Sequence, residues 1–351
     1  MTGCELPDYA EQIHQVIGPL IPHGSPLALF DFPSYCNVGD NAIWMGESDY
    51  LKSRHPDSPV VWVEDTSSAS SGDLPKLPAG CVILLQGGGN FGDLWPHHQK
   101  LRESVVAHYR DHRIVQFPQS IHFENRGNWD RCRQALATHP DFHLVVRDQV
   151  SLDLAHELNK GGVYLCPDMA LQLGSLVRPV RPMHDIFALM RTDREKTPGS
   201  EYGLPPPDCA ITDWDDQELG YALGLEASVC KLLTLYPRRL RRIRGLPLVQ
   251  QSLRQHYDRL AARYLRGGCA LLGSGRVVIT DRLHGHILCS LMGIPHVTLD
   301  ISYGKIRNLR ATWHTGDGLC QTAETWTDAL AIARNMLKTK AELQTGVGLP
   351  T

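Results

Sequence analysis

The chain has 351 residues, of which 42% are hydrophobic and 21% charged, and its formal net charge is −3. That length suffices for two domains, each with a core of its own, and the composition excludes a fibrous or disordered chain. A charge so close to neutral also argues against a nucleic-acid partner, which would call for a dominant basic face.

In chain order, residues 1–12 are polar and acidic and lack the basic-then-apolar pattern of a secretory leader. No run approaches the roughly 20 apolar residues of a spanning helix, so a cytoplasmic protein is expected. Apolar strands are predicted at 27–32, 60–64, 81–86, 113–118, 143–147 and 162–166, with helices at 40–53, 97–110, 129–138 and 151–158. Nearly continuous apolar strands alternating with helices imply an α/β fold whose parallel sheet is covered on both faces. A further strand is expected at 185–190. The Pro-, Gly- and charge-rich stretch 192–207 reads as a mobile loop or lid. Helical segments follow at 217–233 and 247–266, then a strand–helix–strand unit at 276–300 and a long closing helix at 322–344. The ten cysteines are scattered singly without a CxxC pair. That suits reduced, mostly buried thiols and offers no zinc-ligand spacing.

The unit at 276–300 carries the densest chemistry. A buried strand at 277–280 runs into a helix start near Thr280 or Asp281, whose first turn bears Arg282, His284 and Gly285. Unpaired N–H groups and the positive end of the helix dipole favour an anion there, and a guanidinium beside an imidazole strengthens the preference. In open parallel sheets, ligands gather beyond the carboxyl ends of the strands. That rule adds Asn37, Asp40 and Asn41 after the first strand, and Gly88, Gly89, Asn90 and Asp93 after the third. Gln119, Ser120 and His122 follow the fourth, and Arg147 ends the fifth.

Other motifs weigh less. Gly87, Gly89 and Gly92 spell GxGxxG, but no acidic residue ends the next strand, so a dinucleotide site is a weak reading. Asp213-Trp-Asp215-Asp216 looks like a metal–diphosphate motif, yet such triplets are common on exposed loops. His97-His98 reads as a solvated helix start. The basic run from Arg238 to Arg244 reads either as a solvated face or as a peripheral contact with anionic lipid.

Taken together, seven segments resemble, in order, those of the polysaccharide pyruvyl transferase family. They are Asn37-Val-Gly-Asp-Asn41, Gln86-Gly-Gly-Gly-Asn-Phe-Gly-Asp93, Phe117-Pro-Gln-Ser120, Arg147-Asp148, Cys166-Pro-Asp168, Thr280-Asp-Arg-Leu-His-Gly285 and Asp300-Ile-Ser-Tyr-Gly-Lys305. The resemblance implies two Rossmann-like domains facing a cleft, as in GT-B glycosyltransferases. Here these are expected as residues 1–180 on the acceptor side and 181–351 on the donor side, with the closing helix packing back on the first. It further implies phosphoenolpyruvate as donor and a sugar of a bacterial surface glycan, or its lipid-linked precursor, as acceptor. A ketal forms and phosphate leaves.

Such a donor needs two anion sites. Arg282 and His284 at the helix start suit one, and Arg147, Arg191 or Lys305 the other. His284 and His122 are candidate proton donors, because imidazole exchanges protons near neutral pH. Asp40 and Asp93 are candidate bases or hydroxyl ligands. The scheme calls for no cofactor and no metal. The competing readings are a GT-B glycosyltransferase or epimerase that uses a nucleotide sugar, and a non-catalytic glycan-binding protein.

Overall fold

The computed structural model describes residues 7–65, 74–193, 195, 206–214, 241–300, 303–316 and 318–345. They fall into two compact units. One holds the described residues within 7–173 and 241–264, the other those within 174–214 and 265–345. The first break therefore lies after Leu173 rather than at 180, and the chain returns to its first unit at 241–264. The helix expected at 217–233 lies outside the described residues. Among the described residues no helix is long and apolar enough to cross a membrane, and no disulfide joins the cysteines.

The first unit is a parallel α/β sheet. Its strands are β1 (Leu27–Phe32), β2 (Val60–Asp65), β3 (Val82–Leu85), β4 (Gly88–Gly92), β5 (Ile114–His122), β6 (Phe142–Val146) and β7 (Gly162–Leu165), in the order β2-β1-β3-β5-β6-β7. Every pairing is parallel. Ala28, Phe30, Ile83, Leu85, Ile114 and Leu144 are buried in one cluster. This is why the strands read as unbroken apolar runs, and each fully buried large side chain contributes about 1.5–3 kcal/mol.

β4 is a strand that the glycine-rich sequence disguised. β3 and β4 lie one after the other along the same long β5, pairing Leu85 with Gln116 and Gly88 with Gln119. Gly88 and Gly92 have φ of 133° and 138°, and a Cβ on Gly92 would stand 1.7 Å from the His122 carbonyl oxygen. Only glycine lets this strand close on its neighbour.

The helices of this unit are α1 (Tyr9–Ile17), α2 (Val38–Arg54), α3 (Pro96–His108), α4 (Arg126–Ala137) and α5 (Gln149–Leu158). Asn37 caps α2 by accepting from the Gly39 and Asp40 N–H groups at 2.9 and 3.3 Å, as expected of asparagine at that position. The long helix α6 (Pro247–Gly273) joins the unit through its first turns. Tyr257 stacks on Phe32 at 4.0 Å between centroids, and Asp258 accepts from the Trp44 indole at 2.9 Å.

The second unit is also parallel. Its strands β8 (His184–Leu189), β9 (Cys209–Thr212), β10 (Gly275–Thr280), β11 (His296–Leu299) and β12 (Cys320–Ala323) lie in the order β12-β11-β10-β8-β9. Its helices are α7 (Leu283–Leu291), α8 (Lys305–Trp313) and α9 (Trp326–Thr345). β9 falls just beyond the predicted loop, and the first residues of the predicted closing helix are instead the end of β12. α9 packs on the sheet of its own unit, with Ala329 and Ala333 fully buried against Val277, Ile279 and Val297. Their small side chains bring the helix close to the strands.

Both strand orders reverse beside the first strand of the sheet. In the first unit the reversal lies between β1 and β3, in the second between β8 and β10. Adjacent connections leave those strands in opposite directions there, opening a crevice at their carboxyl ends.

Candidate active site

At the switch point of the second unit, Arg191 lies two residues past the end of β8, and β10 leads through Asp281 into Arg282. Arg282 is the N-cap of α7, and no side chain caps the helix. Asp281 does not cap it either, because its carboxylate accepts the Arg191 backbone N–H at 2.9 Å. Gly285 serves close packing: a Cβ there would lie 2.5 Å from Thr280 Oγ1. His284, in the first turn, is half-buried.

Three of the predicted anion-binding cations meet here, and each already holds an acid. Arg282 forms a bidentate pair with Asp213, which follows β9, and also lies 3.5 Å from Asp193. Arg191 pairs with Asp193 at 3.0 Å and with Glu195 at 2.9 Å, and Lys305 reaches Glu195 at 3.0 Å. Burial alone would lower the Arg191 pKa, but Glu195 and Asp193 outweigh it and push it up. Burial would raise Asp193, yet Arg191 and Arg282 hold its carboxyl below the usual range. Arg282, Arg191, Lys305, Asp213 and Glu195 are all under 10% exposed, so these are strong, weakly screened contacts. Asp213 also accepts from the backbone and hydroxyl of Thr192 at 2.9 and 3.0 Å. Both its oxygens are thus already engaged by the protein, whereas Asp215 and Asp216 lie outside the described residues.

The switch point of the first unit gathers a second group. Asp31, within β1, has φ 77°, a left-handed conformation that costs of order 1–3 kcal/mol in a non-glycine residue and clusters at functional sites. Its carboxylate receives His98 Nδ1 at 2.8 and 2.9 Å, with both side chains only 4% exposed. The histidine that read as a solvated helix start is therefore a buried, carboxylate-oriented imidazole. Tyr35 donates to Asp40 at 2.7 Å, and its ring lies 6.0 Å from that of His98. Neither Asp31 nor Tyr35 stood out in sequence; a lone acid inside an apolar strand was the signal available.

Several expected ligand groups turn out to build the frame instead. Asn90 and Gln119 bond to each other and to Arg102 and the Gln86 carbonyl, pinning β4 beside β3. Arg147 is buried and spent on Asp168 at 2.6 Å and Ser120 at 2.9 Å, and Ser120 donates to Asp148. Arg147 is thus engaged within the frame of the first unit. Asp93 accepts from the Glu124 and Asn125 N–H groups and from Asn128. Although burial opposes it, this caging lowers its pKa and makes it a poor base. Asn41 donates to the Tyr35 and Asn37 carbonyls. His122 pairs with Gly92 at the end of β5 and lies 3.7 Å from Glu124. Gly88 and half-exposed Gly89 remain at the crevice, with Asp40 Oδ1 3.6 Å from a Cβ built on Gly88.

Beneath this crevice, fully buried Glu47 accepts the Gly87 N–H at 2.8 Å. Burial pushes its carboxyl pKa well up, and Asp168 and Asp31 add to the shift. The folded protein thus keeps a proton that the unfolded chain releases above about pH 4.3. The stability due to this acid is complete below that pH and falls as pH rises. Glutamine preserves the acceptor and cannot ionise. Glu47→Gln is therefore expected to be more stable than wild type at about pH 8 and equal to it at about pH 4. Chemical denaturation at both values checks this; a gap independent of pH would contradict a protonated Glu47.

Of the basic run, Arg241–Arg244 forms a single helical turn. Arg244 turns inward, pairing with Glu64 at 3.0 Å over the Trp62 ring, so it is lost to any lipid contact. Arg238 and Arg239 lie outside the described residues.

The family described as polysaccharide pyruvyl transferase matches residues 37–303. Pyruvyl transferase 1 of Schizosaccharomyces pombe is 33% identical over 321 residues, covering 87% of this chain and 75% of that protein. Putative pyruvyl transferase EpsO of Bacillus subtilis is 31% identical over 299 residues, covering 85% and 88%. A crystal structure of a functionally uncharacterized protein from Klebsiella pneumoniae shares the fold, with a TM-score of 0.54 at 17% identity over 87% of this chain and 94% of that one. By the extent of these matches, the chain is a transferase that belongs to the polysaccharide pyruvyl transferase family.

Proposed function

We propose that the chain moves the three-carbon group of phosphoenolpyruvate onto two hydroxyls of a sugar in a surface polysaccharide, forming a cyclic ketal and releasing phosphate. The second unit holds the donor and the first the acceptor. One observation carries this reading: Arg191, Arg282 and Lys305 converge at a switch point beside a helix N-terminus. A phosphate and a carboxylate a few ångströms apart match that spread of charge. The acids Asp193 and Glu195 then act as placeholders that the donor displaces.

The chemistry divides between the two sites. His284 protonates the methylene carbon, leaving an oxocarbenium centre at C2 that the first sugar hydroxyl attacks. Phosphate leaves with its C–O bond electrons, and the second hydroxyl closes the ring, its proton passing to the departing phosphate. His98, oriented by Asp31, accepts a hydroxyl proton, with Asp40 and Tyr35 holding the sugar.

Ligand-dependent melting tests the reading. A ligand at 100 times its Kd stabilises by about 2.7 kcal/mol. Phosphoenolpyruvate should raise the melting temperature, and inorganic phosphate should appear once a sugar acceptor is added. A rise with a nucleotide sugar but none with phosphoenolpyruvate would instead favour a glycosyltransferase.

A further inference from the structure

Three metal-ligating side chains from separate elements meet: His286 of α7, His296 at the start of β11 and Cys320 at the start of β12. Their ligand atoms lie within 4.8 Å of one another, and both histidines are completely buried. We propose that this cluster binds a soft monovalent d10 ion of the copper(I) class, independently of the donor and acceptor sites.

The surroundings favour ligation. His296 Nδ1 donates to the Ile294 carbonyl at 2.8 Å, which leaves Nε2 as the lone-pair nitrogen. A hydrogen bond from the remote nitrogen to a backbone carbonyl is the outer-sphere support typical of ligating histidines. His286 Nδ1 faces His296 Nε2 at 2.7 Å, and His286 Nε2 meets Thr315 Oγ1 at 2.8 Å. Without metal, the proton on His286 Nδ1 bridges the two rings. Shifting it to Nε2, where Thr315 Oγ1 accepts it, frees Nδ1 to ligate with no net proton loss. Cys320 Sγ, 3.7 Å from Thr298 Oγ1, releases one proton on binding. Gly316 keeps the wall tight, since a Cβ there would lie 2.9 Å from His286 Cε1 and 3.2 Å from Cys320 Cβ.

Charge selects the ion. Two neutral imidazoles and one thiolate around a monovalent ion make a neutral core, which a buried site tolerates. A divalent ion would leave one positive charge beside Arg310, whose Nη2 lies 3.5 Å from the Cys320 carbonyl oxygen, and would need a fourth ligand. Thiolate with imidazole also suits Cu(I) by softness. Bonds of about 2.0 Å to nitrogen and 2.3 Å to sulfur place trigonal ligands roughly 3.5 Å apart, so the cluster adjusts by about an ångström.

The whole protein, reduced and free of oxygen, is titrated with Cu(I) against a colorimetric chelator. Wild type should hold one more tight equivalent than Cys320→Ser and His286→Asn, and its melting temperature should rise only with that equivalent. The other nine cysteines are common to both Cys320 forms, so they cancel in the difference. X-ray absorption on wild type with one equivalent should report one sulfur and two imidazole nitrogens. Equal stoichiometry in both variants, or all-sulfur coordination in wild type, overturns the site. A Cys320-dependent response to Zn(II) in place of Cu(I) overturns the monovalent assignment.

Discussion

Arg282→Ala is expected to abolish transfer and to cost about 3–5 kcal/mol of stability, because it strands the buried Asp213 carboxylate without its partner. Asp213 is fully buried, and its partners besides Arg282 include Thr192 and the Trp214 N–H. The double variant Arg282→Ala with Asp213→Ala separates the two effects. Removing both members of a buried pair is often nearly neutral, so most of the stability should return while transfer stays absent. Denaturation curves give the first quantity and a transfer assay the second. An active double variant would show that Arg282 serves only the fold.

The Asp31–His98 pair predicts a loss of different character. His98→Ala should lower kcat by about 10²–10⁴-fold, the usual contribution of a placed acid or base. Asp31→Asn is the sharper probe, because asparagine tolerates a left-handed φ and keeps the shape of the side chain. It should leave the fold unchanged, lower kcat and flatten the pH dependence that an oriented imidazole gives. Wild-type kcat and an unaltered pH profile in both variants would reduce the pair to packing. Circular dichroism and melting on the same preparations guard against misfolding.

How much of this was legible depended on whether a residue announces its partners. Strands β1, β5, β8 and β10 are buried on both faces, so they read directly as apolar runs. The α7 start was visible because strand, cap region and charged first turn are contiguous in sequence. β4 was hidden by glycines whose purpose is close approach to β5. β9 (Cys-Ala-Ile-Thr) and β12 (Cys-Gln-Thr-Ala) are the two edge strands of their sheet and carry too few apolar residues to stand out. The pairing of Arg282 with Asp213 spans 69 residues and that of His98 with Asp31 spans 67. Sequence offered Arg282 as an available cation, but no local pattern could reveal the acid already holding it. The histidine–cysteine cluster escaped for the same reason, since β11–β12 register pairs His296 with Cys320 and only the packing of α7 adds His286.

The matched charges at the second switch point also bear on what the protein ignores. Three cations face Asp193, Glu195 and Asp213, so the resting site has little net attraction for chloride or other small monovalent anions. A visitor must replace two carboxylates at once, and one with a single weak charge gains too little to do so. On the proposed reading, selectivity against small monovalent ions thus resides in the protein's own acids, which set a threshold that a multiply charged, two-headed donor would cross.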